Sequence, residues 1–189
     1  MIRRLLTGLV LGSFSVFAHA AFDIGQLMTE LASNPGGRAT FVEKRHLALL
    51  DKPLVATGEM TYTAPDRLEK RTLTPKAETM VLDKDTLSLE RDRRKMQIQL
   101  SQRPEVAAFV ESIRSTLQGN RASLERNYTL LLAGHKDAWV LTLVPTEQRI
   151  ASLLQRITLS GVREQVLVIE YLQADGDRTE MTIEPVKAP

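Results

Sequence analysis

The chain has 189 residues, 25 of them basic and 23 acidic, with three histidines and no cysteine. That length suits one domain with a core of its own, and the missing cysteine excludes thiol catalysis, Cys-ligated metals and a disulfide framework. The near balance of charge argues against nucleic acid as a partner, which would select a basic face.

Arg3 and Arg4 precede an uncharged, largely apolar run from Leu5 to Phe17, and Ala18-His19-Ala20 follows. A positive start, a short apolar stretch and an A-x-A site make the pattern of a secretory signal peptide. The run is about thirteen residues, short of the roughly twenty a helix needs to span a bilayer. The expectation is cleavage after Ala20, leaving residues 21–189 as a single domain in the bacterial periplasm. No cysteine stands at the cleavage point to carry a lipid. Loss of Arg3 and Arg4 brings the mature chain close to neutral, and His46 and His135 are too few for a His-rich metal site. No metal and no cofactor are expected.

In chain order, residues 23 to 33 predict a short amphipathic helix, with Ile24, Leu27, Met28 and Leu31 at i, i+3, i+4 and i+7. Asn34-Pro35-Gly36-Gly37 stops it. From about Ala39 the period becomes two, with Phe41, Leu47 and Leu49 sharing one parity. After Asp51-Lys52-Pro53 a second strand runs to Thr63, and Ala64-Pro65-Asp66 turns the chain again. Strands are predicted at Arg67–Leu73, Glu78–Leu82, Thr86–Glu90 and Lys95–Leu100. Pro104 opens a helix whose apolar set is Val106, Phe109, Val110, Ile113 and Leu117, ended by Gly119-Asn120. Strands return at Tyr128–Ala133, Ala138–Val144, Ile157–Ser160, Gln165–Leu172 and Thr179–Glu184, with a short helical piece over Glu147–Leu154. Ala174-Asp175-Gly176-Asp177 is a hairpin signal.

About ten short strands on short turns pair antiparallel and curl. The two apolar-striped helices must bury those stripes. The predicted fold is therefore mainly β: an open, strongly curved antiparallel sheet, an incomplete barrel, with helices covering its concave apolar face.

No nucleophile elbow, P-loop, dinucleotide fingerprint or H-E-x-x-H motif is present. Glu43 and Lys44 are adjacent on a strand and so face opposite sides. Glu78, Asp83, Asp175 and Asp177 read as turn and surface carboxylates, His135 as a solvated turn residue, and Arg91-Asp92-Arg93-Arg94 as a solvated loop. No catalytic constellation follows, so an enzyme is not expected. A lidded apolar interior instead suits a small or lipidic ligand.

Ala39-Thr40-Phe41-Val42-Glu43-Lys44 is similar to the A-x-F-x-Q-K first strand of the LolA-like periplasmic carriers of outer-membrane lipoproteins. Gly58-Glu59-Met60-Thr61-Tyr62 with Pro65-Asp66-Arg67-Leu68, Thr74-Pro75, Met80 to Leu87 around Asp83-Lys84-Asp85, and Asp175 to Thr179 continue the resemblance in order. It implies an open bent sheet closed by helices, and a monomeric carrier that takes an acylated lipoprotein or other lipidic amphiphile from an inner-membrane exporter to an outer-membrane acceptor. Acyl tails would lie against Phe41, Met60, Tyr62, Leu68, Met80, Leu82, Leu87, Leu89, Met96 and Ile98, under a lid of Leu27, Leu31, Phe109, Val110 and Ile113. The chain departs from the family at Ala64, where the carriers have a basic residue, with Arg67 nearby. It departs again at Lys70, where they have Trp, and at Ser88, Leu89 and Glu90, where they have aromatics. The departures point to a divergent carrier with a different amphiphile. A sensor or regulatory module of the same fold is the alternative; such proteins carry a further domain, for which no room follows Pro189.

Overall fold

A computed structural model describes residues 22–186; the expected signal peptide and cleavage site fall outside the described residues. Helix α1 (Ile24–Ala32) begins in a capping box, Asp23 accepting from the Gln26 amide while the Gln26 side chain accepts from the Asp23 amide. Strands β1 (Gly36–His46), β2 (Leu54–Thr63), β3 (Arg67–Thr74), β4 (Glu78–Asp83), β5 (Thr86–Arg91) and β6 (Arg94–Gln99) form a meander. A 3-10 turn (Leu100–Gln102) leads into α2 (Pro104–Leu117), which has proline in its first turn, and then α3 (Arg121–Leu124). Strands β7 (Tyr128–His135) and β8 (Ala138–Pro145), α4 (Gln148–Ala151), and strands β9 (Leu154–Val162), β10 (Gln165–Gln173) and β11 (Arg178–Pro185) complete the chain.

All eleven strands join one sheet in the order β6-β5-β4-β3-β2-β1-β11-β10-β9-β8-β7. Every pairing is antiparallel. The first and last strands of the chain join in the middle, through Phe41 opposite Ile183 and Glu43 opposite Met181. The outer strands β6 and β7 do not pair with each other, so the sheet is open, as the sequence predicts. It has eleven strands where about ten are read from the sequence. The short helix α3 has no counterpart in that reading.

The core is lopsided. Leu27, Met28 and Leu31 of α1 and Leu124 of α3 pack against Tyr128, Trp139, Leu141, Leu143, Ile157 and Leu159 of β7–β9. The other wing, β2–β6, contributes Leu82 as its one buried large side chain among the described residues. Helix α2 packs mainly against α1, α3, α4 and the 3-10 turn, and meets the sheet at Tyr128 and Tyr171. That leaves space between it and the sheet.

A candidate lipid-binding cavity

Helix α2 is turned unusually for an amphipathic helix. The side it buries carries Ala108, Ser112, Ser115 and Thr116. These small residues allow close approach to the neighbouring helices. The Ser112 and Thr116 hydroxyls are satisfied by the Phe109 and Ser112 carbonyls, both at 2.6 Å. The Tyr128 hydroxyl donates to the Ala108 carbonyl at 3.1 Å. Burial pushes that phenol up to about 12, so it stays a donor. The apolar stripe, Val106, Phe109, Val110, Ile113 and Leu117, faces a cavity of about 970 Å³. That lies at the upper end of the ~300–1,000 Å³ typical of ligand pockets.

Two cross-strand rows floor the cavity on the β1–β5 wing. Tyr62, Leu68, Leu82 and Leu87 stand opposite one another in successive strands, and Ala39, Met60, Lys70 and Met80 form the next row. The other wing supplies Leu159 of β9, Val166, Ile169 and Tyr171 of β10, and Met181 and Ile183 of β11. Leu153 and Leu154 extend that wall beside α4.

Of the residues expected to meet a tail, Met60, Tyr62, Leu68, Met80, Leu82 and Leu87 line this space, as do Phe109, Val110 and Ile113 of the expected lid. Leu89, Met96 and Ile98 continue the same two rows onto β5 and β6, outside the cavity, and Met96 is 51% exposed near the free edge. Phe41 shares the cavity side of β1 with Ala39 and Glu43, but its ring lies beneath the Lys70 amine, 4.8 Å from the ring centroid. Leu27 and Leu31 are not lid residues: both are 0% exposed, because α1 points its stripe into the β7–β9 core. Arg67 is not among the lining residues; it reaches Asp83 at 3.1 Å and Glu69, which does line the cavity, at 3.4 Å.

One part of the wall is charged. Glu43 is 2% exposed; its Oε1 accepts from Arg45 Nε at 2.6 Å and its Oε2 from Lys70 Nζ. Burial alone would raise its pKa, but the Lys70 and Arg45 partners outweigh that and hold it below the ordinary carboxylate range. Lys70 reaches Glu43 by crossing Phe41, whose ring fills the space over Gly58. A Cβ at position 58 would sit 2.9 Å from that ring and 2.0 Å from the Arg71 carbonyl. The sequence reading missed this pair, since its partners lie on strands whose register includes a bulge at Thr57/Gly58. Glycine inside β2 was the available signal.

A family model described as "Outer membrane lipoprotein carrier protein LolA-like" matches residues 16–184. No curated protein sequence is significantly similar to the chain. Among solved structures, a LolA superfamily protein from Nitrosomonas europaea is similar at 12% identity and a TM-score of 0.44, over 87% of this chain and 93% of that one. A DUF1329 family protein from Desulfovibrio piger is similar at 10% identity and a TM-score of 0.48, over 85% and 88%. A chain of the Pseudomonas aeruginosa MucA/MucB complex is similar at 17% identity and a TM-score of 0.46, over 88% of this chain and 58% of that one.

Proposed function

The chain belongs to the family of LolA-like outer membrane lipoprotein carrier proteins, and from that premise we propose that it carries an amphiphile by its acyl tail. One observation carries the reading: α2 turns its whole apolar stripe to an open cavity, while only Ile113 and Leu117 of it also pack against the core. Exposed apolar surface of this extent is costly in a protein that has no ligand for it. A tail entering the cavity leaves water at a gain of roughly 0.8 kcal/mol per methylene. The protein supplies shape and burial, and no bond need be made or broken.

In this reading residues 21–189 act in the periplasm after removal of the leader. The cargo is a lipoprotein or another lipidic amphiphile, received from an inner-membrane exporter and released to an outer-membrane acceptor. Tails lie on Met60, Leu68, Met80 and Leu82 and beneath Phe109, Val110 and Ile113. Release is helped by the way α2 is held, on small residues and hydrogen bonds at one face and on the ligand at the other.

Native mass spectrometry tests the proposal on protein purified from its host envelope and supplied with bacterial phospholipids and lipoproteins. An acyl-bearing adduct at one-to-one stoichiometry is expected. Its absence under every loading condition would remove the carrier reading.

A further inference from the structure

Tails alone do not account for the Glu43 cluster. A buried ion pair is a poor device for stability, since apolar residues of similar volume often serve as well or better. This one stands in the wall of an otherwise apolar cavity, and its hydrogen-bonding capacity is unevenly used. Both Glu43 oxygens are occupied, one by Arg45 and one by Lys70. The Lys70 ammonium has three N–H donors, and Glu43 is its one acceptor among the described residues. Arg45 commits only its Nε to Glu43. Tyr171 lines the same cavity, and its hydroxyl has no hydrogen-bond partner among the described residues. Burial, and then the Glu43 charge, push its pKa up, so it stays protonated. Register places Arg45, Thr179 and Tyr171 in one cross-strand row, beside the row of Glu43 and Met181.

What remains for a ligand is therefore donors and a surplus cation: two positive side chains against one carboxylate whose oxygens are spent. Other carboxylates reach the lining. Glu69, Glu78 and Glu105 lie 3.4, 3.9 and 4.0 Å from Arg67, Arg91 and Arg103, and Glu164 sits on the turn between β9 and β10. None of them contacts the cluster.

We propose that Lys70, Arg45 and Tyr171 form a head-group anchor inside the cavity, selecting an amphiphile whose polar end is an anion, carboxylate or phosphate. The proposal rests on the carrier reading and adds to it the class of cargo. Lys70 is the central residue: Phe41 beneath it and Glu43 beside it fix the ammonium, leaving its remaining donors for the ligand.

The test compares four ligands with the same tail, palmitate, hexadecyl phosphate, methyl palmitate and hexadecyltrimethylammonium, by displacement of a fluorescent fatty acid from the mature protein. At least one anion binds about tenfold or more tighter than the methyl ester, and the tighter of the two anions identifies carboxylate or phosphate. Lys70→Gln keeps an amide donor for Glu43 while removing the surplus charge, and Tyr171→Phe removes a donor without touching the ion pair. Lys70→Gln abolishes the preference for the anion, read as the ratio of anion to methyl palmitate affinity in the same variant; Tyr171→Phe reduces that ratio. Equal binding of anion and ester, a preference for the cation, or a preference that survives Lys70→Gln overturns the anchor and leaves the carrier intact. Failure of all four ligands to bind overturns the carrier, and the anchor with it.

Discussion

Phe109 of α2 and Tyr171 of β10 meet with ring centroids 4.8 Å apart and planes tilted by 45°. The contact bridges the two sides of the cavity and is a place where α2 touches the sheet through large side chains. Phe109 is still 38% exposed, so its ring serves the cavity more than the core. Phe109→Asp should therefore lower affinity for an acyl ligand by tenfold or more, while costing about 1 kcal/mol of stability, the size of the aromatic pair it removes. Leu143→Asp, at a side chain 0% exposed, should unfold the protein. Ligand displacement beside urea denaturation measures both. A Phe109→Asp variant that melts like Leu143→Asp would make this residue plain core.

The two faces of α2 make opposite predictions. Ala108→Leu inserts bulk into the face packed on Tyr128 and α3, and should destabilise by about 1–3 kcal/mol with tail affinity little changed. Val110→Ala removes methyl groups from the cavity side, where a void already exists, and should cost under about 1 kcal/mol while weakening tail binding. Denaturant midpoints and ligand titrations on the two variants should rank in opposite orders. Identical ranking would mean that α2 sits on the sheet as an ordinary core helix.

Most of the fold was legible because short β-rich runs, some alternating as cleanly as Lys95–Leu100, are separated by turns that carry their own chemistry. The predicted Thr86–Glu90 and the observed Thr86–Arg91 differ by one residue, and Pro104 marks the start of α2 in both. Boundaries slipped where pairing extends a strand past its pattern: β9 begins at Leu154, not Ile157, because Leu154 pairs with Gln173 beyond a register shift. Helix α3 was lost because Asn120 was read only as a stop, whereas its side chain also caps the next turn by accepting from the Ser123 amide at 3.1 Å. The cavity was harder. A stripe such as Val106 to Leu117 reveals an apolar face but not what it faces, and nothing in the sequence singles out Leu159, Ile169 and Met181 among the apolar residues of their strands. In space they wall the same void. Leu27 and Leu31 show the reverse error, an identical pattern whose partner is solid core.

Gly119 fixes the end of α2 against α1. Its φ is +63°, and a Cβ there would lie 2.0 Å from the Met28 carbonyl oxygen. Both the left-handed conformation and the contact exclude a side chain. Gly119→Ala should cost more than about 1 kcal/mol and shift α2 on α1, detected as a lower urea midpoint together with altered ligand release. A neutral substitution would show that the two helices are not held at this point.

Glu43 makes stability depend on acid in a defined direction. Its pKa is 4.5 when unperturbed and lower in the folded protein, where the Lys70 and Arg45 pairing outweighs burial. Between the folded value and 4.5 the unfolded chain binds more protons than the native state, so stability falls as pH falls through that window. Above 4.5 the contribution of the group is complete. Glu43→Gln should lower the urea midpoint near neutrality, since Lys70 then loses its charged partner. It should also show a shallower loss of stability on acidification below 4.5 than the unmodified protein. The gap between the two proteins must therefore narrow as the pH drops. Midpoints measured in steps through the acid range check this, and parallel curves would mean that Glu43 carries no charge linked to folding.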